Sequence, residues 1–225
     1  MIAHKLAPSV LSADFAHLAD HVAAVEKHSD LLHVDVMDGH FVPPITIGPV
    51  VVKALRRVTS LPLECHLMVD RPEEQVEQFA EAGANSVVWH LEAAPDPRPV
   101  LKRARDLSLK AGLAINPETA FESAVPFLEE IDVLNIMTVN PGWAGQAFLH
   151  DVLPKIRAAR EYVESRGLRL DISVDGGVNT ETATLCLEAG ANVLGAATAI
   201  FGQPDASTAA AGLRRLMATF AGDTR

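Results

Sequence analysis

His33 and Asp35 lie two residues apart in Leu32-His33-Val34-Asp35-Val36-Met37, where apolar side chains alternate with the others. In a strand that spacing puts the imidazole and the carboxylate on one face. A histidine nitrogen and an aspartate oxygen suit a divalent transition metal. A solvated strand face alternates in the same way, so the pair needs company before it means a site. Two further segments supply it. Glu64, His66 and Met68 alternate with Leu63, Cys65 and Leu67, and Asp171, Ser173 and Asp175 alternate with Leu170, Ile172 and Val174. If the apolar members pack under helices, His33, Asp35, His66 and Asp175 converge from three strands. Four nitrogen and oxygen ligands then surround one point, with coordination positions left for a substrate. A hydrogen-bonded polar layer is the rival reading, but burying so many polar groups is costly unless they pair, which favours a cation.

Glycine-rich loops form a second constellation. Gly142-Trp143-Ala144-Gly145, Gly176-Gly177 and Ala197-Thr198 follow three successive strand-like runs. Each glycine alone reads as a turn residue. Together, in loops after late strands and ahead of a short helical turn near Thr198 to Phe201, their amides suit a phosphate. Met37, Met68 and Met137 end strands, where core packing is the ordinary reading, and their shared level suggests an apolar rim beside the metal. His90 and Glu92 read as a structural hydrogen bond. Asp38 points away from Asp35 and reads as a turn or supporting residue. His4, His17, His21, His28 and His150 read as surface residues.

The elements that must position these groups alternate β-α almost from end to end. Strands are expected near Leu6–Leu11, Leu31–Met37, Leu61–Met68, Ser86–Leu91, Gly112–Asn116, Val133–Val139, Leu170–Asp175 and Ala191–Gly195. Helices are expected from Ser12-Ala13-Asp14 to about Lys27 and from Pro49 to Val58. Others run from Asp70 to Gly83, up to Lys110, from Pro117 to Glu130, Val152–Arg166, from Thr180, and Asp205–Thr219, with a frayed tail at Ala221–Arg225. Eight such units close a parallel ring, the TIM (β/α)8 barrel, with the active site at the C-terminal ends of its strands. The 225 residues suit one domain, 1–225.

Composition narrows the classes. Hydrophobic residues make up 48% and charged residues 21%, which is globular, and no apolar run matches a membrane span. The start of the chain lacks a signal-peptide pattern, so a cytoplasmic location is expected. A formal charge of −10 argues against a nucleic-acid or anionic-membrane surface, although a small anion can still be held by local amides and a cation. Cys65 and Cys186 have no metal-type spacing and read as buried reduced thiols.

Over nearly its whole length the chain resembles the ribulose-phosphate 3-epimerase family. The resemblance rests on Ala7-Pro8-Ser9-Val10-Leu11-Ser12-Ala13-Asp14-Phe15, His33-Val34-Asp35-Val36-Met37-Asp38-Gly39-His40-Phe41-Val42-Pro43 and Cys65-His66-Leu67-Met68-Val69. It continues in Met137-Thr138-Val139-Asn140-Pro141-Gly142, Val174-Asp175-Gly176-Gly177-Val178 and Ala199-Ile200-Phe201-Gly202. It implies metal binding by His33, Asp35, His66 and Asp175, acid and base roles for Asp35 and Asp175, and a substrate contact at Ser9. It also implies that His66 and Asp175 face the substrate, and that Gly142, Trp143, Ala144, Gly145, Gly176, Gly177, Ala197 and Thr198 hold its phosphate. Pro44 stands where Asn is common, Trp143 where Phe is common, Ala144 and Ala197 where Gly is common, and Thr198 where Ser is common. An added methyl at Ala144 or Ala197 could narrow the approach to the backbone amides.

The implied reaction is C3 epimerisation of a small phosphorylated ketose, D-ribulose 5-phosphate to D-xylulose 5-phosphate, through an enediolate. The resemblance further implies one divalent ion, zinc, iron, manganese or cobalt, as cofactor, and a homo-oligomer. An epimerase for another ketose phosphate, such as D-allulose 6-phosphate, would use the same groups. A non-catalytic phosphosugar binder is a further alternative. A sugar-phosphate decarboxylase with an Asp-x-Lys-x-x-Asp strand fits poorly, because Met37 stands at the lysine's place.

Overall fold

The computed structural model describes residues 3–220. Among these, eight strands form one sheet: β1 (Lys5–Pro8), β2 (Leu32–Met37), β3 (Leu63–Met68), β4 (Ser86–His90), β5 (Lys110–Ile115), β6 (Val133–Met137), β7 (Asp171–Asp175) and β8 (Val193–Ala196). Every ladder is parallel, in the order β1-β8-β7-β6-β5-β4-β3-β2. The two ends of that order meet through a parallel bridge, Ser9 to His33, so the ring closes at the first of the metal-type residues. Eight helices among the described residues accompany the strands: α1 (Leu18–Val25), α2 (Pro49–Arg56), α3 (Val76–Ala82), α4 (Arg98–Asp106), α5 (Leu153–Ser165), α6 (Thr180–Ala189), α7 (Thr198–Phe201) and α8 (Ala206–Phe220). The expected (β/α)8 barrel is therefore present. No helix among the described residues is long and apolar enough to cross a membrane.

Alternation sorts the strand side chains as expected. Leu32, Val34, Val36, Leu63, Cys65, Leu67, Ile172 and Val174 join the large buried cluster under the helices. The opposite set must then face the barrel interior. There Val88, Ala114 and Val133 pack together, as do Ala7, Leu31 and Val193, forming small apolar layers.

Several boundaries differ from the sequence expectation. β1 stops at Pro8 rather than Leu11, because Ser9 turns the chain and its hydroxyl accepts from Leu11 N at the start of a 3-10 turn. β4 ends at His90, β5 begins at Lys110, β6 ends at Met137 and β8 spans Val193–Ala196. α4 stops at Asp106, ahead of Ser108 with its φ of 60°. Asp70 does not cap a helix. Its N–H goes to Asp38, Pro72–Glu74 is a 3-10 turn, and α3 begins only at Val76. The expected helix up to Glu130 is two 3-10 segments, Phe121–Ser123 and Val125–Glu130, the second holding Pro126, which cannot donate to an α-helical ladder. His4, His21 and His28 are half-buried rather than exposed, and His21 stacks on Phe201. The expected tail at 221–225 lies outside the described residues.

Two strand-end devices matter for the site. Thr138 donates its hydroxyl to Asp175 O and Gly176 O, tying β6 to the end of β7. Gly176 has a φ of 108°, and a Cβ there would stand 2.3 Å from Val139 Cγ2. Gly176→Ala should therefore destabilise the fold by about 1–3 kcal/mol. The expected readout is a lower urea midpoint with an unchanged native far-UV spectrum. Cys65 and Cys186 are fully buried free thiols, as expected, and burial pushes Cys186 up to about 12 and raises Cys65 as well. The native protein should resist a thiol-disulfide reagent at neutral pH, while both thiols should react after guanidinium unfolding.

Candidate active site

β2 and β3 pair in register so that Asp35 lies beside His66 and His33 beside Glu64. β7 brings Asp175 to the same level from beyond β1 and β8. One ligand atom from each of His33, Asp35, His66 and Asp175 falls within 4.8 Å of all the others. His33 Nε2 is 3.2 Å from Asp35 Oδ1, 3.6 Å from Asp175 Oδ2 and 3.4 Å from His66 Nδ1. His66 Nδ1 is 3.0 Å from Asp35 Oδ1 and 3.3 Å from Asp175 Oδ2. Ligands bound to zinc at about 2.0–2.2 Å and placed at tetrahedral corners stand roughly 3.3–3.6 Å apart. The His–Asp and His–His separations thus lie at or near the spacing a small cation requires.

The electrostatics agree. Burial pushes the Asp35 carboxyl up, yet His33 and His66 hold it well below the usual carboxylate range. Asp175 is also lowered by the two histidines, against burial and against repulsion from Asp35. Burial alone would lower both imidazoles, but the two carboxylates raise them. The four groups therefore create a strong preference for positive charge at their centre, which protons or a dication can satisfy.

Three of the four cluster side chains are braced from behind. Ser9 Oγ donates to Asp35 Oδ2 at 2.5 Å, and Glu64 Oε1 lies 3.1 Å from His33 Nδ1. His90 Nε2 lies 2.9 Å from His66 Nε2, with the rings stacked at 23°. Thr46 Oγ1 donates to Asp35 O and accepts from Met37 N, pinning the end of β2. Asp38 accepts from His40 N, Phe41 N and Asp70 N, the turn role expected of it. Glu92 accepts from Asn116 N and Thr119, and against the effect of burial these bonds and His90 hold it at about 2.

Above the cluster opens a cavity of about 290 Å³, at the small end for small-molecule sites. Asp35 and Asp175 line it, as do Met37, Met68 and Met137. So do Gly142, Trp143, Ala144 and Gly145, then Gly176 and Gly177, then Ala197 and Thr198. The carboxylates, methionines and glycine loops singled out by spacing thus share one cavity. His33, His66 and Ser9 do not line it. They lie behind the two carboxylates, and Ser9 is only 1% exposed. Among the described residues no lysine, arginine or histidine lines the cavity, so an anion bound there would meet backbone amides and hydroxyls. Ala197 has a negative φ of −101°, outside the left-handed region that favours glycine, and Trp143 stands 65% exposed at the mouth. Gln146 ties the 140–146 loop by donating to Asn140 O and Trp143 O.

Sequence reasoning missed Leu11, Asn179 and Gln203 in the lining and Thr46 and Thr138 in the bracing. Only Asn179 carried a local signal, as the cap of α6 in a reciprocal box with Thr182. Thr138 acts on the end of β7, far away in sequence, and Thr46 folds back on the end of β2 from the loop that follows it.

Comparison with known proteins agrees with the geometry. Residues 5–201 match the sequence model described as the ribulose-phosphate 3 epimerase family. The chain is 47% identical over 212 residues to the ribulose-phosphate 3-epimerase of Bacillus subtilis, covering 93% of this chain and 98% of that protein. It is 41% identical over 218 residues to the ribulose-phosphate 3-epimerase of Schizosaccharomyces pombe, covering 95% and 94%. Among solved structures, the 3-hexulose-6-phosphate synthase from Salmonella typhimurium superposes with a TM-score of 0.73 at 16% identity, covering 96% of this chain and 99% of that one, a likeness of fold alone. With the barrel, the four-residue cluster and relatives matched nearly end to end, the chain belongs to the ribulose-phosphate 3-epimerase family and is an isomerase.

Proposed function

We propose that the protein interconverts D-ribulose 5-phosphate and D-xylulose 5-phosphate by a metal-dependent inversion at C3. The observation that carries this reading is that Asp35 and Asp175 both line the cavity while each offers an oxygen to the His33–His66 cluster. A ketose with a hydroxyl at C3 carries an acidified C3 hydrogen, and removing it leaves a planar enediolate. Two carboxylates reaching that plane from different strands suffice to invert the centre, one taking the proton and the other delivering one to the opposite face. Asp35 Oδ2 is engaged by Ser9, whereas Asp175 Oδ1 accepts no hydrogen bond among the described residues. The latter is the readier proton acceptor, and the direction of reaction decides which group acts as base.

His33, Asp35, His66 and Asp175 would hold one divalent ion, zinc, iron, manganese or cobalt. When bound, that ion supplies Lewis-acid stabilisation of the charge on the two substrate oxygens. Met37, Met68 and Met137 line the cavity with apolar surface, limiting water that could protonate the carbanion from the wrong face. Gly142 to Gly145, Gly176-Gly177 and Ala197-Thr198 would orient the phosphate by backbone amides, and the negative φ of Ala197 requires no glycine there. Met37 lines the cavity and no lysine among the described residues does, which leaves the decarboxylase reading without a proton donor of that type. In this reading the chain works as one barrel over residues 1–225 in a cytoplasmic homo-oligomer, which family membership supports.

Incubation with D-ribulose 5-phosphate in heavy water should give D-xylulose 5-phosphate carrying deuterium at C3, followed by NMR. An unconverted, undeuterated substrate with metal bound would reject this substrate and turn attention to other ketose phosphates. Asp35→Asn and Asp175→Asn should each lower kcat by about 10²–10⁴ while a phosphorylated product analogue still binds. Retained turnover in both would overturn the acid–base assignment, whereas analogue binding with no turnover by the wild-type protein would leave only a phosphosugar-binding role. Removing metal with a chelator should abolish turnover, and adding back zinc, iron, manganese or cobalt should restore it. Full activity in demonstrably metal-free protein would overturn the cofactor assignment.

A further inference from the structure

The two histidines of the cluster present different nitrogens to its centre. His33 turns Nε2 inward and His66 turns Nδ1 inward, as the distances to Asp35 and Asp175 show. A metal-bound nitrogen must offer a lone pair, so the ring proton has to sit on the other nitrogen. His33 must then carry its proton on Nδ1, and His66 on Nε2. The opposite choice on either ring would aim an N–H at the cation.

Behind each ring stands a partner that fits this requirement. Glu64 is buried on the inner face of β3, and its Oε1 lies 3.1 Å from His33 Nδ1, where it can accept the N–H. Behind His66 the partner is another imidazole. His90, fully buried, has Nε2 at 2.9 Å from His66 Nε2, so one nitrogen must donate and the other accept. Because His66 has to donate, His90 Nε2 must be the acceptor, and the His90 proton is displaced to Nδ1. His90 Nδ1 lies 3.3 Å from Glu92 Oε2, and both atoms are buried without a hydrogen bond among the described residues, so a proton on Nδ1 would give each its partner. Glu92 is itself anchored through Oε1 by Asn116 N and Thr119. Phe41 packs on the His90 ring with centroids 4.8 Å apart, which fixes the ring from its other side.

We propose that Glu64, and His90 together with Glu92, are positioning residues that set opposite tautomers on the two metal histidines, so that His33 binds through Nε2 and His66 through Nδ1. The proposal rests on the metal-site reading above. It gives His90 and Glu92 a task beyond the structural hydrogen bond that the sequence suggested. Partners of this kind orient ligand rings and raise their basicity, and losing one typically weakens metal binding about 10–100-fold.

The test uses zinc and two readouts. Long-range ¹H–¹⁵N correlation on the zinc-loaded wild-type protein assigns the metal-bound and protonated nitrogens of each ring. The expected pattern is zinc on His33 Nε2 and His66 Nδ1, with protons on His33 Nδ1, His66 Nε2 and His90 Nδ1. Zinc on the other nitrogen of either ring, or a proton on His90 Nε2, overturns the proposal without requiring any variant to fold. Zinc affinity by competition with a chromophoric chelator is then compared among wild type, Glu64→Leu, His90→Phe and His90→Gln. Glu64→Leu and His90→Phe should bind about 10–100-fold more weakly. His90→Gln keeps an acceptor for His66 Nε2–H and should recover most of the loss. Wild-type affinity in folded Glu64→Leu and His90→Phe would reduce both partners to packing. His33→Ala separates the two readings. If it binds zinc as tightly as wild type, the metal site itself is misassigned. If it loses zinc while the ring-nitrogen pattern or the partner variants contradict expectation, only the positioning proposal falls.

Discussion

Two carboxylates at the end of a parallel barrel, Asp35 buried and Asp175 partly exposed to the cavity, constrain everything around them. Asp35 and Asp175 sit close enough to share contacts with the same two imidazoles, and burial and mutual repulsion both oppose their ionisation. They stay charged because His33 and His66 lie 3.0–3.6 Å away. Groups so placed tolerate little displacement, since an unpaired charge in that environment is strongly destabilising. The strand ends carrying them must therefore hold position to within a fraction of an ångström.

The barrel meets that demand with bonds that cross between strand ends. Register alone puts Asp35 beside His66, but the end of β2 is additionally pinned by Thr46, and the end of β7 by Thr138. The ring closes through the Ser9–His33 bridge, and the same Ser9 braces Asp35 through its hydroxyl. Closure of the fold and orientation of a buried carboxylate are thus one local structure. The loops above have ties of their own. Gln146 ties the 140–146 loop to itself, and Thr182 Oγ1 donates to Gly177 O beneath the glycine pair.

Much of this was readable from residue order. Alternation in three short runs was enough to choose His33, Asp35, His66 and Asp175 and to set them facing inward, because a strand has only two faces and the apolar one must be covered. Repetition of the β-α rhythm was enough for the eightfold barrel, and glycine placement for the cavity loops. Helix limits were less legible. The Asp70-Arg71-Pro72 segment looks like a helix start but is a 3-10 turn, and Pro126 interrupts what periodicity alone reads as a helix. Local propensity there yields to backbone bonds made with distant residues, such as Asp70 N to Asp38.

The chain's own order therefore determined which side chains face the barrel interior and what charge they bring, since both follow from residue type and a period of two. Tertiary structure alone decided which nitrogen of each histidine turns to the centre and what stands behind it. It also decided that Ser9 lies beneath a carboxylate rather than on the cavity wall. Ring orientation, the His66–His90 contact and the Thr138 brace depend on the stagger and packing of strands far apart in sequence, and the Thr46 brace on how the loop after β2 folds back on it. No periodicity encodes those distances, because they arise only when the ring of strands closes.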